Sequence, residues 1–405
     1  MIELGRSDPL AWIDGEADRW SREGLERRLV TLGEARPGRV NRDGRVLLNF
    51  ASNDYLGLAN DPRVIEAATA AAARYGWGAG ASPLVSGWRE PHEALAAGLA
   101  AFEGVEAVAL FASGFAANLG AIVALVGPGD AVYADRLNHA CLIDGARLSG
   151  ARLRVYPHND ANRLEAILTR DRGRFRRSMI ATDGVFSMDG DVAPLADLAD
   201  LADRFGAIFL VDEAHGTGVL GPSGRGAAEA AGLAPGRVHV KVGTLSKALG
   251  SLGGFVAGPL RLIDWLRNHA RTLIYSTALP AAAAAAAHQS LGIAQAEPER
   301  RHHLAEIAQQ LRADLGSLGL ATTAGSGPIA PLFLDGHASV MNCAAYLLEQ
   351  GYLTPAIRPP TVPVGTSRIR ISLTAAHDRG DLTKLLDSIR IFQLGAQRDE
   401  IGPTA

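Results

Sequence analysis

Lysine is scarce in this chain. Only Lys241, Lys247 and Lys384 occur, although Lys and Arg together number 40. Wherever a bare positive charge suffices the sequence uses arginine, which cannot deprotonate to act as an amine, so a retained lysine is a candidate for amine chemistry. Lys384, in the amphipathic stretch DLTKLLDSI, and Lys241 are expected on the surface, which leaves Lys247 as the candidate. Cysteine is scarcer still. Cys141 and Cys343 supply no disulfide framework. No apolar run approaches the roughly 18 residues of a membrane span. The opening MIELGRSDPLAWIDGEADRW has acids and a proline where a secretory signal needs a basic patch and an apolar core, so a cytoplasmic location is expected. A formal charge of -3 argues against a nucleic-acid or membrane-surface binder. The basic run from Arg170 to Arg177 reads as a solvated loop between a helix and a strand. No metal site is expected.

The chain has 405 residues, 47% of them hydrophobic, enough for a large core and more than one domain. An N-terminal helix is expected over about 15–30, followed by the short strand RVLLNF. Apolar runs VALFAS, AVYAD, RLRVYP, SMIATDGVF, IFLVDE and VHVKVGT then alternate with segments long enough for helices. In EALAAGLAAFEG, Leu95, Leu99 and Phe102 recur at helical spacing. Such alternation predicts a mostly parallel sheet covered on both faces, with ligands beyond the carboxyl ends of its strands. The alanine tract Ala281 to Ala287 predicts a helix packed closely on another surface. After it come a long charged helix and shorter elements ending in SRIRISLTAAH. Three segments are therefore expected: an N-terminal helix and strand over 1–50, a large cofactor-binding α/β domain over 51–288, and a smaller α+β domain over 289–405.

Asp212 in FLVDEAHG and Lys247 in GTLSKALGS each follow such a strand. A lysine amine condenses with an aldehyde as a Schiff base, and a carboxylate keeps a pyridine nitrogen protonated, so the pair fits the two poles of pyridoxal 5'-phosphate. Ser113, Gly114 and Phe115, in FASGFAANLG, form a strand-to-helix turn suited to a phosphate, and the Thr244 hydroxyl suits the same group. His139 follows AVYAD and is placed to lie flat on a pyridine ring. His215 and Ser187 complete a polar wall. Arg368 and Arg370 alternate in SRIRIS, so both point to one face, where an arginine fork fits a carboxylate. Arg358 and Thr361 lie on the loop before that strand. Two further patterns fail on context. DEAH also marks helicases, but no GxxxxGK[ST] loop is present. Gly216 to Gly221 fits GxGxxG, but the GPSGRG that follows breaks the helix a dinucleotide site needs.

Taken together and in order, ASNDYLGLA, SGFAANLG, the NHA around His139, FSMDGD, DEAHGTG, GTLSKALGSLGGF, YSTALP and PPTVPVGTSRIRISLTAAH resemble the α-oxoamine synthases of fold type I, over roughly 15–390. The resemblance implies a large mostly parallel-sheet domain with a smaller C-terminal α+β domain, a homodimer, and pyridoxal 5'-phosphate as cofactor. It implies Lys247 as the Schiff-base lysine, His139 on the ring and Asp212 at its nitrogen. Further cofactor contacts are implied from Ser113, Gly114, Phe115, Ser187, His215 and Thr244, and from Ser276 and Thr277 toward the partner's phosphate. Arg27, Asn53, His139, Thr361 and Arg370 are implied substrate contacts. RPPTVP followed by TAAH most resembles the branch that condenses L-alanine with a pimeloyl thioester, carried on coenzyme A or an acyl carrier protein. Trp88, after LVSG, departs from the family's usual residue and bears on the acyl pocket, and some members have Tyr at Phe115. Condensation of glycine with acetyl-CoA, and amino transfer to a keto acid, stay open as alternatives.

Overall fold

Apolar, β-branched runs become strands without a polar face when helices cover both sides of their sheet. The computed structural model describes residues 8–401, with side-chain surroundings for 8–395. The outermost residues of the first and last expected segments, 1–7 and 402–405, lie outside the described residues. After an N-terminal helix come three short strands, β1 Ala35–Arg36, β2 Arg39–Arg42 and β3 Arg45–Asn49. All six expected runs follow as β4 Ala107–Phe111, β5 Ala131–Asp135, β6 Arg152–Tyr156, β7 Ser178–Asp183, β8 Ile208–Asp212 and β9 Val240–Thr244. The later strands are β10 Gly254–Gly258, β11 Ile329–Phe333, β12 Tyr352–Leu353, β13 Ala356–Ile357 and β14 Arg368–Ser372.

The large sheet has the order β4-β10-β9-β8-β7-β5-β6. From β9 to β6 every pairing is parallel, whereas β10 runs antiparallel to both β4 and β9. Val108 and Leu110 of β4 enter one core layer while Ala107, Ala109 and Phe111 enter the other. This period-two split identifies a sheet buried on both faces. Helix Glu90–Glu103 carries the expected stripe, with Leu95 and Leu99 at 0% exposure. The alanine tract lies in helix Ala281–Ala296, against helices Pro62–Tyr75 and Glu90–Glu103. The approach is close: a methyl at Gly98 would stand 3.1 Å from His288. Two smaller sheets complete the molecule. One has the order β11-β14-β13, and the other is β1-β2-β3 with β12 added parallel to β3.

Two local expectations are corrected. The N-terminal helix spans Trp12–Arg22 rather than about 15–30, because Gly24 adopts φ +66°, a left-handed conformation that ends a helix. Lys241 is buried, not on the surface. It pairs with the buried Glu103 and donates to the Arg225 carbonyl, a partnership that meets the demand of a buried charge for an opposite one. Lys384 is exposed as expected. Arg170 ends a helix and Arg172 to Arg177 lie in the exposed loop that follows; Arg170 and Arg174 pair with the buried Asp171, and Arg176 with the buried Asp130. Among the described residues no helix is long and apolar enough to cross a membrane.

Candidate active site

The polar residues of interest follow the carboxyl ends of β4, β5, β7, β8 and β9. Asp212 closes β8 directly beside Asp183 at the end of β7, and parallel register puts both carboxyl groups on one face. Lys247 sits in a tight loop after β9, with the Gly250 N–H donating to its carbonyl at 2.8 Å. Gly250 has φ +57°, and a methyl there would stand 2.4 Å from the Ala59 nitrogen. Only glycine permits that approach, which brings the ASNDYLGLA loop against the lysine loop.

A chain of hydrogen bonds starts at the lysine. Lys247 Nζ is 2.9 Å from His215 Nε2, and His215 Nδ1 is 2.5 Å from the Tyr55 hydroxyl. Tyr55 reaches Asn53 Oδ1 at 3.1 Å, and Arg370 Nη2 donates to the same oxygen at 3.1 Å. Arg370 also donates through Nε to the Ser187 carbonyl and through Nη1 to Ser372 Oγ, each at 2.6 Å. Three of its five N–H donors are used, so two remain for a carboxylate. Burial lowers the affinity of Lys247 for a proton, against the opposing charges of Asp212 and Asp183. Burial also holds His215 well below the usual histidine range, with the Lys247 and Arg370 charges acting the same way. Tyr55 is pushed up to about 12 by burial.

Behind this chain lies a second cluster. Asp212 is 4% exposed, accepts from Asn118 Nδ2 at 2.6 Å and from the Ala214 N–H at 2.9 Å, and has no ion-pair partner among the described residues. A buried carboxylate without a cation is costly, and a protonated pyridine nitrogen supplies one. Asn118 also donates to Cys141 Sγ at 3.2 Å, and Cys141 Sγ lies 2.9 Å from His139 Nδ1. The His139 backbone N–H donates to Asp183 at 2.7 Å. His139 is exposed, and its ring stands edge-on to that of Phe115 with the centroids 6.3 Å apart. Burial and then the neighbouring Asp212 charge raise Asp183 well above the usual carboxylate range. Burial lowers His139 despite Asp212.

The phosphate end is equally local. Ser113 caps helix Gly114–Leu125 by accepting the Ala116 N–H, and the Ala117 N–H closes the first turn on the Ser113 carbonyl. Gly114 and Phe115 therefore keep unclaimed N–H groups at the positive helix end. A methyl at Gly114 would stand 3.3 Å from Thr244 Cβ, which puts that hydroxyl beside the turn. The residues present thus fit a pyridoxal phosphate: an amine, a cation-seeking carboxylate, an open ring face and an amide cradle.

Not every expected residue joins this group. Arg368 does share a face with Arg370, but its guanidinium pairs with Asp189 and lies 4.7 Å over the Phe333 ring, so the expected two-arginine fork is a single arginine. Arg27 and Thr361 meet each other at 3.1 Å, both exposed, and Arg358 donates to the Glu26 carbonyl. No hydrogen bond among the described residues ties them to Lys247. Ser276 and Thr277 line a small cleft with Ala112, Trp88 and His92. Trp88 stacks on His92 at 5.3 Å and donates to Glu93 at 2.8 Å. Sequence reasoning missed Tyr55, Asn118, Asp183 and Ser246, whose hydroxyl is 2.8 Å from that of Thr244. Each lies within a motif quoted above or a neighbouring apolar run, yet only contacts across the fold single it out.

The loop that carries Ser187 is held by His158, whose Nδ1 is 3.0 Å from Asp135 and Nε2 2.7 Å from Asp191. Burial alone would depress this histidine, but hydrogen bonds to the two carboxylates outweigh it and raise it to about 9. A folded value raised above the unfolded one stabilises fully below about pH 6.5, and that contribution is lost as pH rises through about 9. His158→Gln is therefore expected to lower the Tm near neutrality and to flatten its alkaline decline. Thermal unfolding of both proteins from about pH 6 to about pH 10 checks this, and an unchanged alkaline slope would refute it.

The family model for aminotransferase class I and II matches residues 45–389. An 8-amino-7-oxononanoate synthase from Anaeromyxobacter dehalogenans is 49% identical over 380 residues, covering 94% of this chain and 95% of the relative. One from Alkalilimnicola ehrlichii is 52% identical over 338 residues, covering 84% and 86%. Among solved structures, a serine palmitoyltransferase variant from S. paucimobilis with PLP and myriocin bound superposes with a TM-score of 0.90 at 29% identity, covering 96% and 99%.

Proposed function

The chain belongs to the class I and II aminotransferase family, among the 8-amino-7-oxononanoate synthases, and on that premise we propose that it condenses L-alanine with a pimeloyl thioester, giving 8-amino-7-oxononanoate, CO2 and a free thiol. The reaction belongs to biotin biosynthesis, and the fold is that of the type I pyridoxal-phosphate-dependent transferases. The observation that carries the reading is the convergence of Lys247, Asp212, His139 and Arg370 at one end of the sheet.

Pyridoxal 5'-phosphate, when bound, supplies an aldehyde for an amine and a protonated ring that takes up the electron pair left when Cα loses its proton. Lys247 is the base for that proton. A free lysine has a pKa of about 10.4, and burial moves this one in the direction a base near neutrality requires. Asp212 supports the ring nitrogen, with Asn118 orienting its carboxylate. His139 offers its open face to the ring, and Ser113, Gly114, Phe115 and Thr244 receive the phosphate. Ser187 and His215 line the polar wall. Arg370 grips the alanine carboxylate with its two free N–H groups beside Asn53, and Arg27 with Thr361 lies on the acyl side.

The same reading includes a homodimer in which Ser276 and Thr277 reach the partner's phosphate, and a division at 50/51 and 288/289. A cytoplasmic location agrees with two buried, unpaired cysteines. The acyl group arrives on coenzyme A or a carrier protein. The test is thiol release by the purified, cofactor-loaded protein. L-alanine with pimeloyl-CoA is expected to give thiol, and glycine with acetyl-CoA little. Release with the glycine pair alone would overturn the substrate assignment but keep the chemistry, and silence with both, and with a pimeloyl carrier protein, would overturn the reading.

A further inference from the structure

The turn that carries Ser187 is fastened on two sides. On one side it docks on the small sheet: Arg370 donates through Nε to the Ser187 carbonyl at 2.6 Å, Arg368 pairs with Asp189, and Thr323 donates to the Asp189 carbonyl. A side chain at Gly190 would run into the Ile329 carbonyl, so the turn lies directly against β11. On the other side the Phe186 N–H donates to the Asp191 carbonyl at 3.0 Å and the Gly190 N–H to the Phe186 carbonyl at 2.8 Å, and the Asp191 side chain then reaches His158. That histidine sits between two carboxylates. Asp135 already accepts the backbone N–H groups of Leu137 and Asn159, at 2.8 and 2.7 Å, so it is an ionised acceptor to which Nδ1 brings a proton. Asp191 Oδ2 accepts from Asn159 Nδ2 at 2.8 Å, and the proton between it and Nε2 belongs to the imidazole, the stronger base. His158 is thus an imidazolium, and among the described residues no other cation pairs with either carboxylate.

We propose that His158 is a positioning residue: its two N–H groups tie Asp191 to Asp135, which seats the Ser187 turn on β14 and aims the free N–H groups of Arg370 at the substrate carboxylate. The titratable groups that face His158 are Asp135 at the end of β5 and Asp191 and Asp189 in the turn. A neutral imidazole keeps one N–H, so one carboxylate then loses its donor. Asp135 retains two backbone N–H groups, whereas Asp191 retains only the Asn159 amide, and its other oxygen has no partner. The turn side is therefore the side that lets go. Burial lowers His158, but hydrogen bonds to the two carboxylates outweigh it and raise it to about 9, so the tie is complete near neutrality and is lost as pH rises through about 9.

The inference rests on the proposed grip of Arg370 on L-alanine, and one of its readouts needs no turnover. In the loaded enzyme, His158→Gln is expected to raise KM for L-alanine about tenfold near neutrality, the worth of one misaimed charge-assisted hydrogen bond, with kcat unchanged within about twofold. The ratio of variant to wild-type KM should then fall toward one as pH passes about 9, where the wild type loses the same tie. Titration of the alanine amine is common to both proteins and cancels in that ratio. In full-length, cofactor-free protein, hydrogen–deuterium exchange of a peptide covering 185–192 is expected to quicken about tenfold in the variant, while peptides from β5 and β7 keep their rates. A KM ratio of one near neutrality overturns the proposal, including the case in which only the Tm falls, since that outcome makes His158 a stabilising residue and no more. A drop in kcat at constant KM, or unchanged exchange of the turn, overturns it as well. Asp191→Asn provides a test that survives misfolding of the first variant. It leaves one carboxylate to hold the imidazole proton, so the alkaline rise in KM should begin at lower pH than in wild type, and a rise at the same pH refutes the proposal. Failure of thiol release while the turn still exchanges faster would remove the proposed reaction and leave the anchoring standing.

Discussion

Replacing Lys247 with alanine is expected to cut thiol release by about 10⁴-fold or more, the upper range for one positioned acid–base group, with a further loss from the missing covalent anchor. The protein itself should survive. Lys247 is only half-buried, and the carbonyl that receives the Gly250 N–H belongs to the backbone, so the loop keeps its shape. His215 keeps its bond to Tyr55 and the Asp212 cluster is untouched. Cofactor should therefore still bind, more weakly and without the absorbance of a lysine-linked form. Spectra, thiol release and thermal unfolding of the variant measured side by side check this. Activity within tenfold of wild type would sink the assignment of Lys247, because Lys241 is locked to Glu103 and Lys384 is exposed, so neither can replace it.

Asp212→Asn is expected to lose activity by about 10²- to 10⁴-fold while retaining the fold. The amide matches the carboxylate in shape but brings no negative charge to stabilise a protonated ring nitrogen. Stability should fall little. In wild type both carboxylate oxygens accept, one from Asn118 and one from Ala214. The new NH₂ group would face one of those donors, and a flip of the Asn118 amide turns its otherwise unpartnered oxygen toward it. The remaining cost is that of one weakened hydrogen bond, about 1 kcal/mol. If kcat dropped less than threefold, the ring-nitrogen role would be wrong. If the variant failed to fold, the carboxylate would be structural first.

Much of the fold was legible because β4, β5, β7, β8 and β9 are buried on both faces and so read as near-continuous apolar runs, whereas the edge strand β6 alternates arginine with apolar residues. β10 was not. Its GFVAG is short, opens and closes on glycine, and begins inside a motif already read for Lys247. Its glycines are needed there: a methyl at Gly254 would stand 2.5 Å from the Gly114 nitrogen, at the phosphate turn. The burial of Lys241 was missed because its partner Glu103 is 138 residues away, and the sharing of Arg368 with Asp189 for the same reason, at 179 residues. The site was legible where chemistry demands a residue type, as at Lys247 and Asp212. It was illegible where a residue acts by touching another, as Tyr55 and Asn118 do.

The pairing of β3 with β12 has a consequence for how the molecule is made. Leu48 meets Tyr352 across that ladder, so the fourth strand of the N-terminal sheet leaves the ribosome some three hundred residues after the third. At about 5–20 residues per second, the outer edge of β3 waits tens of seconds with its backbone groups open to any passing strand. The hairpin of β2 and β3 carries Arg39, Arg42 and Arg45, a run of like charge that repels the same segment of a neighbouring nascent chain. The large sheet is complete by residue 258, so its strands can assemble during synthesis. The small one closes only as translation ends, and a chain stalled before residue 352 is left with an unsealed edge at its oldest end.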